Sequence, residues 1–221
     1  LRLLKEKQSW IGIKMTIMPT ESQNLFSDIV ELYNMGVNQF IIGPATGVNW
    51  SDKNIDIFLS EMIKLYEWYI SHSGSNLRIA EFEEIKNEAR FGCYAGRTNI
   101  SVGIDGQISP CSKILAIDST NLVSKLGDVH YGLINFRNRS KLINCSELRS
   151  ECEKMGISED YEGGCYASNH YETQNLFHPS MHDYNFDKAK RSMLYNSIKN
   201  INYQKNDKID ATARAASSGD I

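Results

Sequence analysis

What this sequence lacks narrows it first. No run of apolar residues approaches the roughly 20 needed to span a bilayer, so no membrane partner is expected. The 24 basic residues are spread among 27 acidic ones for a net charge of −3. No Lys/Arg cluster is dense enough to meet a phosphate backbone, which argues against nucleic acid. Leu1 to Ser9 is charged and has neither the apolar core nor the cleavage site of a secretory signal. A cytoplasmic location follows as the expectation, and stable disulfides are disfavoured there. Thiols are also missing from both flanks. All five, Cys93, Cys111, Cys145, Cys152 and Cys165, fall in one third of the chain. Their odd number prevents complete pairing within one chain, and clustered cytoplasmic thiols read as metal ligands more readily than as staples.

What is present is ordinary for a folded domain. At 221 residues, 41% hydrophobic and 23% charged, the chain can bury a core without disulfides. It opens on Leu1 rather than Met, and its first strand comes almost at once. A fragment or a truncated gene product is therefore expected.

Trp10 to Met18 reads as a largely buried strand stopped by Pro19. Thr20-Glu21-Ser22-Gln23 has capping-box spacing. It precedes a helix whose apolar face carries Leu25, Phe26, Ile29, Val30, Leu32 and Tyr33, ended by Gly36. Val37 to Gly43 is a second strand, which makes a β-α-β unit with parallel strands. The following loop, Gly43 to Asn49, stands where α/β folds place ligands, but it lacks the Gly-Lys-Ser/Thr ending of a phosphate loop. A long helix starts near Ser51-Asp52, and its aromatic stripe reads as core. Residues 78–90 read as helical.

Asp105-Gly106, between 99–104 and 107–109, signals a two-residue hairpin turn. Cys93 and Cys111 then lie just outside the two arms of that hairpin. Leu126 to Val129 reads as a turn and short strand, residues 133–142 as a helix, and 145–165 as mostly loop. A helix is expected over 186–203 and a disordered tail over 204–221.

Twelve residues separate Cys93 from Gly106, and four separate Gly106 from Cys111. This spacing resembles C-x9-15-G-x4-C, the first half of the SPASM signature of radical S-adenosylmethionine enzymes. The second half, C-x2-C-x5-C-x3-C, aligns with Cys152, Met155, Tyr161 and Cys165. The two inner cysteines are thus replaced. Gly163-Gly164-Cys165, the segment after the hairpin and the β-α-β unit also resemble that family, over residues 10–185.

The resemblance implies an α/β protein. Residues 1–90 would be the last β/α units of a partial (β/α) barrel, and 91–185 a small α+β cysteine-rich domain similar to those of peptide and sulfatase maturases. It implies one auxiliary [4Fe-4S] cluster on Cys93, Cys111 and Cys165, with a peptide or protein as substrate. Cys152 or Cys145 would supply the fourth ligand, and Cys152 completes the candidate set. Thiolates on glycine-rich loops suit such a cluster, and a four-thiolate zinc site is the alternative. A second cluster is not expected. The family's C-x3-C-x2-C motif is absent, so S-adenosylmethionine would be cleaved only in an intact enzyme. The competing reading is a zinc-stabilised or metal-free binding module derived from such an enzyme.

Of the histidines only His178 and His182 have helical ligand spacing, and Pro179 between them argues against a zinc-protease helix. Surface or packing roles are expected for all five, including His72, His130 and His170. Asp183 and Glu172 read as exposed loop carboxylates. No nucleophile–base pair supports a hydrolase.

Overall fold

The computed structural model describes residues 1–72, 74–84, 91–117, 125–157, 159 and 161–203. It is a mixed α/β structure with two small sheets. The chain divides into two units, Leu1–Glu88 with Lys188–Ile221, and Ala89–Asp187. Among the described residues no helix is long and apolar enough to cross a membrane.

In the first unit a short helix α1 (Arg2–Lys5) precedes strand β1 (Gly12–Ile17). Helix α2 (Leu25–Asn34) connects β1 to β2 (Gln39–Pro44), and the two strands pair in parallel from Gly12–Gln39 to Ile17–Pro44. The β-α-β unit is therefore formed. β1 is an edge strand and only Ile17 within it is buried, so the expectation of a largely buried strand does not hold.

The capping box does not form either. Residues 19–24 are a 3-10 turn begun by Pro19, and the Ser22 hydroxyl donates back to the Pro19 carbonyl at 2.9 Å. Gly36, at φ +100°, ends α2 as read, in a left-handed conformation that favours glycine.

Helix α3 (Asp52–Ser71) is capped by the Ser51 hydroxyl, which accepts from the Asn54 amide at 3.3 Å. Its aromatic stripe is core, with the Tyr66 and Phe82 rings edge to face at 5.0 Å. Residues 78–79 form strand β3, parallel to β2, before the short helix α4 (Ala80–Glu84). The rest of the expected helix, residues 85–90, lies outside the described residues. Leu25, Ile29, Phe40, Leu59, Leu65 and Ile79 are fully buried between sheet and helices. The chain returns to this unit through a π-helical segment, Lys190–Tyr195, that packs against α3 and continues as helix to residue 203. The Tyr66 hydroxyl donates to Oδ1 of Asn202 at 2.7 Å. The expected tail, 204–221, lies outside the described residues.

The second unit is built on an antiparallel meander of four very short strands, β4 (Ser101–Val102), β5 (Gln107–Ser109), β6 (Gly127–Asp128) and β7 (Gly132–Leu133). The hairpin pairs Val102 with Ile108. Its turn is one residue longer than read: Gly103 N–H donates to the Gln107 carbonyl across Ile104, Asp105 and Gly106, with Gly106 at φ +84°. That is the three-residue loop with a glycine bulge.

Around the sheet lie α5 (Ser112–Leu115), α6 (Phe136–Asn144), α7 (Ser146–Lys154), α8 (Tyr166–Thr173) and α9 (Met181–Ala189). Helix α7 corrects the reading of 145–165 as mostly loop. Its buried stripe is only Leu148 and Cys152, four residues apart. Ile114, Leu126, Leu142, Leu148 and Tyr166 form the centre of the core.

Candidate metal centre

Three segments of the second unit, two of them containing glycine, are tied together by backbone hydrogen bonds. Gly92 N–H donates to the Glu162 carbonyl at 2.7 Å, joining the Cys93 loop to the Cys165 loop. Gly96 N–H donates to the Pro110 carbonyl at 3.0 Å, joining the Cys93 loop to the start of α5 at Cys111. Helix α5 in turn packs on α8, which begins after Cys165. Glycine is needed at two of these crossings. A Cβ on Gly163, which has φ +89°, would stand 3.2 Å from the Phe91 ring and 3.3 Å from the Gly92 nitrogen. A Cβ on Gly92, also at φ +89°, would stand 2.3 Å from Sγ of Cys145.

These ties bring Cys93, Cys111 and Cys165 into one neighbourhood, and all three are half-buried against the core. Sγ of Cys93 accepts from the Ala95 amide at 3.4 Å, and Sγ of Cys111 accepts from the Ile114 amide at 3.4 Å. Burial pushes the Cys93 thiol up. The Ala95 amide opposes that shift, and the nearby Cys165 and Cys111 add to it. Such amide-to-sulfur bonds favour a thiolate, and they are what thiolate ligands of a metal or cluster use.

Cys145 and Cys152 are buried. Cys145 joins α6 to α7 in the left-handed conformation, φ 55°, which is uncommon for a residue with a Cβ. Its sulfur lies 3.2 Å from the Tyr166 hydroxyl and 3.9 Å from Nη2 of Arg97. That Arg97 nitrogen also donates to the Ile143 carbonyl. Nε and Nη1 of Arg97 are buried with no hydrogen-bond partner among the described residues. Burial raises the Tyr166 phenol strongly, the hydrogen bond with Cys145 adds to that, and Cys93 contributes as well. Cys152 faces inward from α7. Its thiol is raised by burial, with Arg149 opposing and Glu153 and Glu151 adding.

Met155 ends α7 and is partly exposed, while Tyr161 is buried edge to face on Tyr184 at 5.4 Å. The Tyr161 hydroxyl finds no partner among the described residues, and burial followed by Asp183 holds its phenol well above the usual range.

Two carboxylates differ from their reading as exposed loop groups. Asp183 is partly buried on α9 and accepts from the Cys165 amide at 3.3 Å. Burial raises its carboxyl against the opposing effects of that amide, Ser168, His182 and Lys113. Glu172 is exposed but lies on α8, where it accepts from Ser180 Oγ at 2.5 Å and from the Met181 amide at 3.0 Å, capping α9. His178 lies 3.4 Å from Glu151, a surface role as expected.

Among the described residues no three His, Cys, Asp or Glu side chains stand close enough together to hold a single metal ion. In the first unit an open cleft of about 500 Å3 is lined by Trp10, Ser75, Asn76, Leu77, Arg78 and Glu83. It lies at the amino ends of the strands, opposite the carboxyl edge where α/β sheets bind ligands. Comparison with protein-family models gave no match to this chain, and comparison with curated proteins gave none either.

Proposed function

We propose that this chain is the carboxyl-terminal part of a cytoplasmic radical S-adenosylmethionine protein of the SPASM type that modifies a peptide or protein. Residues 1–90 belong to its partial (β/α) barrel. Cys93, Cys111 and Cys165 hold one auxiliary [4Fe-4S] cluster in the following domain. The observation that carries this reading is the neighbourhood of those three thiols, with backbone amides directed at two of the sulfurs. Each thiol gives up its proton when its sulfur bonds iron.

A cubane presents its irons at separate corners, so its thiolates stand wider apart than four sulfurs around one zinc at about 2.3 Å. When bound, such a cluster supplies one-electron chemistry and fixes the surrounding loops. The chain's own contribution is the glycine-tied loops and the amides that orient the sulfurs. With no C-x3-C-x2-C motif, radical generation is not assigned to these residues.

Anaerobic purification and reconstitution with ferrous iron and sulfide test the reading. The expected result is a brown protein with iron and acid-labile sulfide in equal amounts. Stoichiometric zinc with no sulfide would replace this reading with the zinc-stabilised module.

A further inference from the structure

The geometry points to a docking strip along the free edge of β4 for an extended segment of a polypeptide substrate, apolar at alternate positions. This rests on the peptide-modifying reading above and names where that substrate binds.

Among the described residues β4 pairs with β5 alone, so its other edge is open. Which backbone groups face outward follows from the register. Gly103 N–H donates to the Gln107 carbonyl at 2.9 Å, and bonded and non-bonded pairs alternate along an antiparallel ladder. The Val102–Ile108 pair is therefore non-bonded, and the N–H and carbonyl of Val102 point away from β5. No charge and no proline guards that edge over residues 99–104, although both are common ways of blunting an exposed strand.

The same segment is apolar at every second position. Ile100 and Val102 are 50% and 53% exposed, and Ile104, on the turn, is wholly exposed. The strip widens at the tip, because Val129 N–H donates to the Gly106 carbonyl at 3.0 Å and sets the second turn beside the first. Val129 and Tyr131 are exposed there as well. Single exposed apolar side chains are ordinary, but a run of neighbouring ones marks an interaction site. Outward backbone donors and acceptors flanked by alternating apolar side chains match one kind of partner, a polypeptide added as a further strand.

The course of β4 says which polypeptide. Its amino end returns to the Cys93 loop, where Asn99 N–H donates to the Tyr94 carbonyl at 3.2 Å. Tyr94, the residue after Cys93, is exposed. Ser101 stands opposite Ser109, two residues before Cys111. A strand laid on β4 thus has one end at the hairpin tip and the other beside the candidate centre, which is the path of a substrate.

The test selects binders from a random decapeptide display library on the full chain and measures the synthesised peptides by fluorescence anisotropy. The selected peptides are expected to carry apolar residues at alternate positions. Val102→Lys should weaken their binding about tenfold, and Leu3→Lys, on exposed α1, should leave it unchanged. Circular dichroism checks that both variants fold. Peptides N-methylated in turn at two adjacent central residues read the pairing without altering the protein. One position should weaken binding about two- to tenfold, the worth of one net hydrogen bond, and its neighbour should not. A library that enriches no peptide overturns the docking strip, and so do equal affinities in Val102→Lys and Leu3→Lys or equal effects of the two methylations. A dimer in sedimentation equilibrium that Val102→Lys dissociates also overturns it, since a second copy then occupies the edge. Binding is measured on the metal-free chain and on the chain reconstituted with ferrous iron and sulfide. Peptide binding by a chain that takes up no sulfide keeps the strip and removes the cluster reading, and sulfide uptake without peptide binding does the reverse.

Discussion

The α-carbon of Gly92 lies so close to the sulfur of Cys145 that a methyl group there would stand 2.3 Å from it. Two penalties therefore combine at this position: left-handed backbone at φ +89°, costing a residue with a Cβ about 1–2 kcal/mol, and overpacking at about 1–3 kcal/mol. Gly92→Ala is expected to lower the stability of the metal-free protein by about 2–5 kcal/mol, read as a fall in the urea midpoint. A change under about 0.5 kcal/mol would mean that the two segments are not in contact.

Asn169 is completely buried in α8 and works as a bracket. Its amide nitrogen donates to the Leu176 carbonyl at 3.1 Å, and its side-chain oxygen accepts from the Ser180 amide at 2.9 Å. Asn169→Leu keeps the size and orphans both backbone groups at about 1–3 kcal/mol each. The expected loss is about 2–6 kcal/mol, and protease susceptibility should rise between residues 174 and 180.

Tyr161 presents the opposite case. Its hydroxyl is buried without a partner among the described residues, and an unsatisfied buried hydroxyl costs about 1–3 kcal/mol. Tyr161→Phe should leave the metal-free protein as stable as the wild type or up to about 1 kcal/mol more stable. A loss of the same size in thermal unfolding would show that the hydroxyl is bonded.

Glu151 lies 2.5 Å from Lys154 and 3.4 Å from His178. The Lys154 hydrogen bond, joined by His178, holds its carboxyl below the usual range. A depressed carboxylate adds stability above its unfolded value, about 4.3, and that contribution is lost as pH falls through the folded value. The group is exposed, so the effect is small. The melting temperature of Glu151→Gln should therefore fall slightly below wild type at neutral pH and converge with it in strong acid. A gap that widens on acidification would contradict the pairing.

The elements the sequence revealed are those with long, unambiguous periodicity. The parallel β-α-β unit and α3 follow from apolar spacing, and Ser51 marks the start of α3 as a capping hydroxyl should. Among the short elements, the hairpin at Asp105-Gly106 and the helix after Leu133 were legible from their turn and spacing signals, whereas others were not, because other forces decide them. Pro19 and Ser22 divert the expected capping box into a 3-10 turn. Helix α7 shows only two buried positions in a charged stretch, too few to mark a period against loop. At the candidate site, cysteine spacing picked out the three thiols that the fold draws together. The position of Cys145 was hidden, because it depends on a left-handed joint between two helices and on the missing side chain of Gly92. The burial of Asp183 was hidden too, since it comes from the packing of α9 near Cys165.

The first unit is assembled from Leu1–Glu88 and Lys188–Ile221, with the whole second unit encoded between them. A ribosome adding 5–20 residues per second needs on the order of 5–20 s to cross that interval. Throughout it, the flank of α3 that receives Leu194 and the hydroxyl of Tyr66 awaits Asn202, 136 positions downstream. The nascent chain therefore holds α3 without its carboxyl-terminal partner segment until the residues of the second unit have all been added.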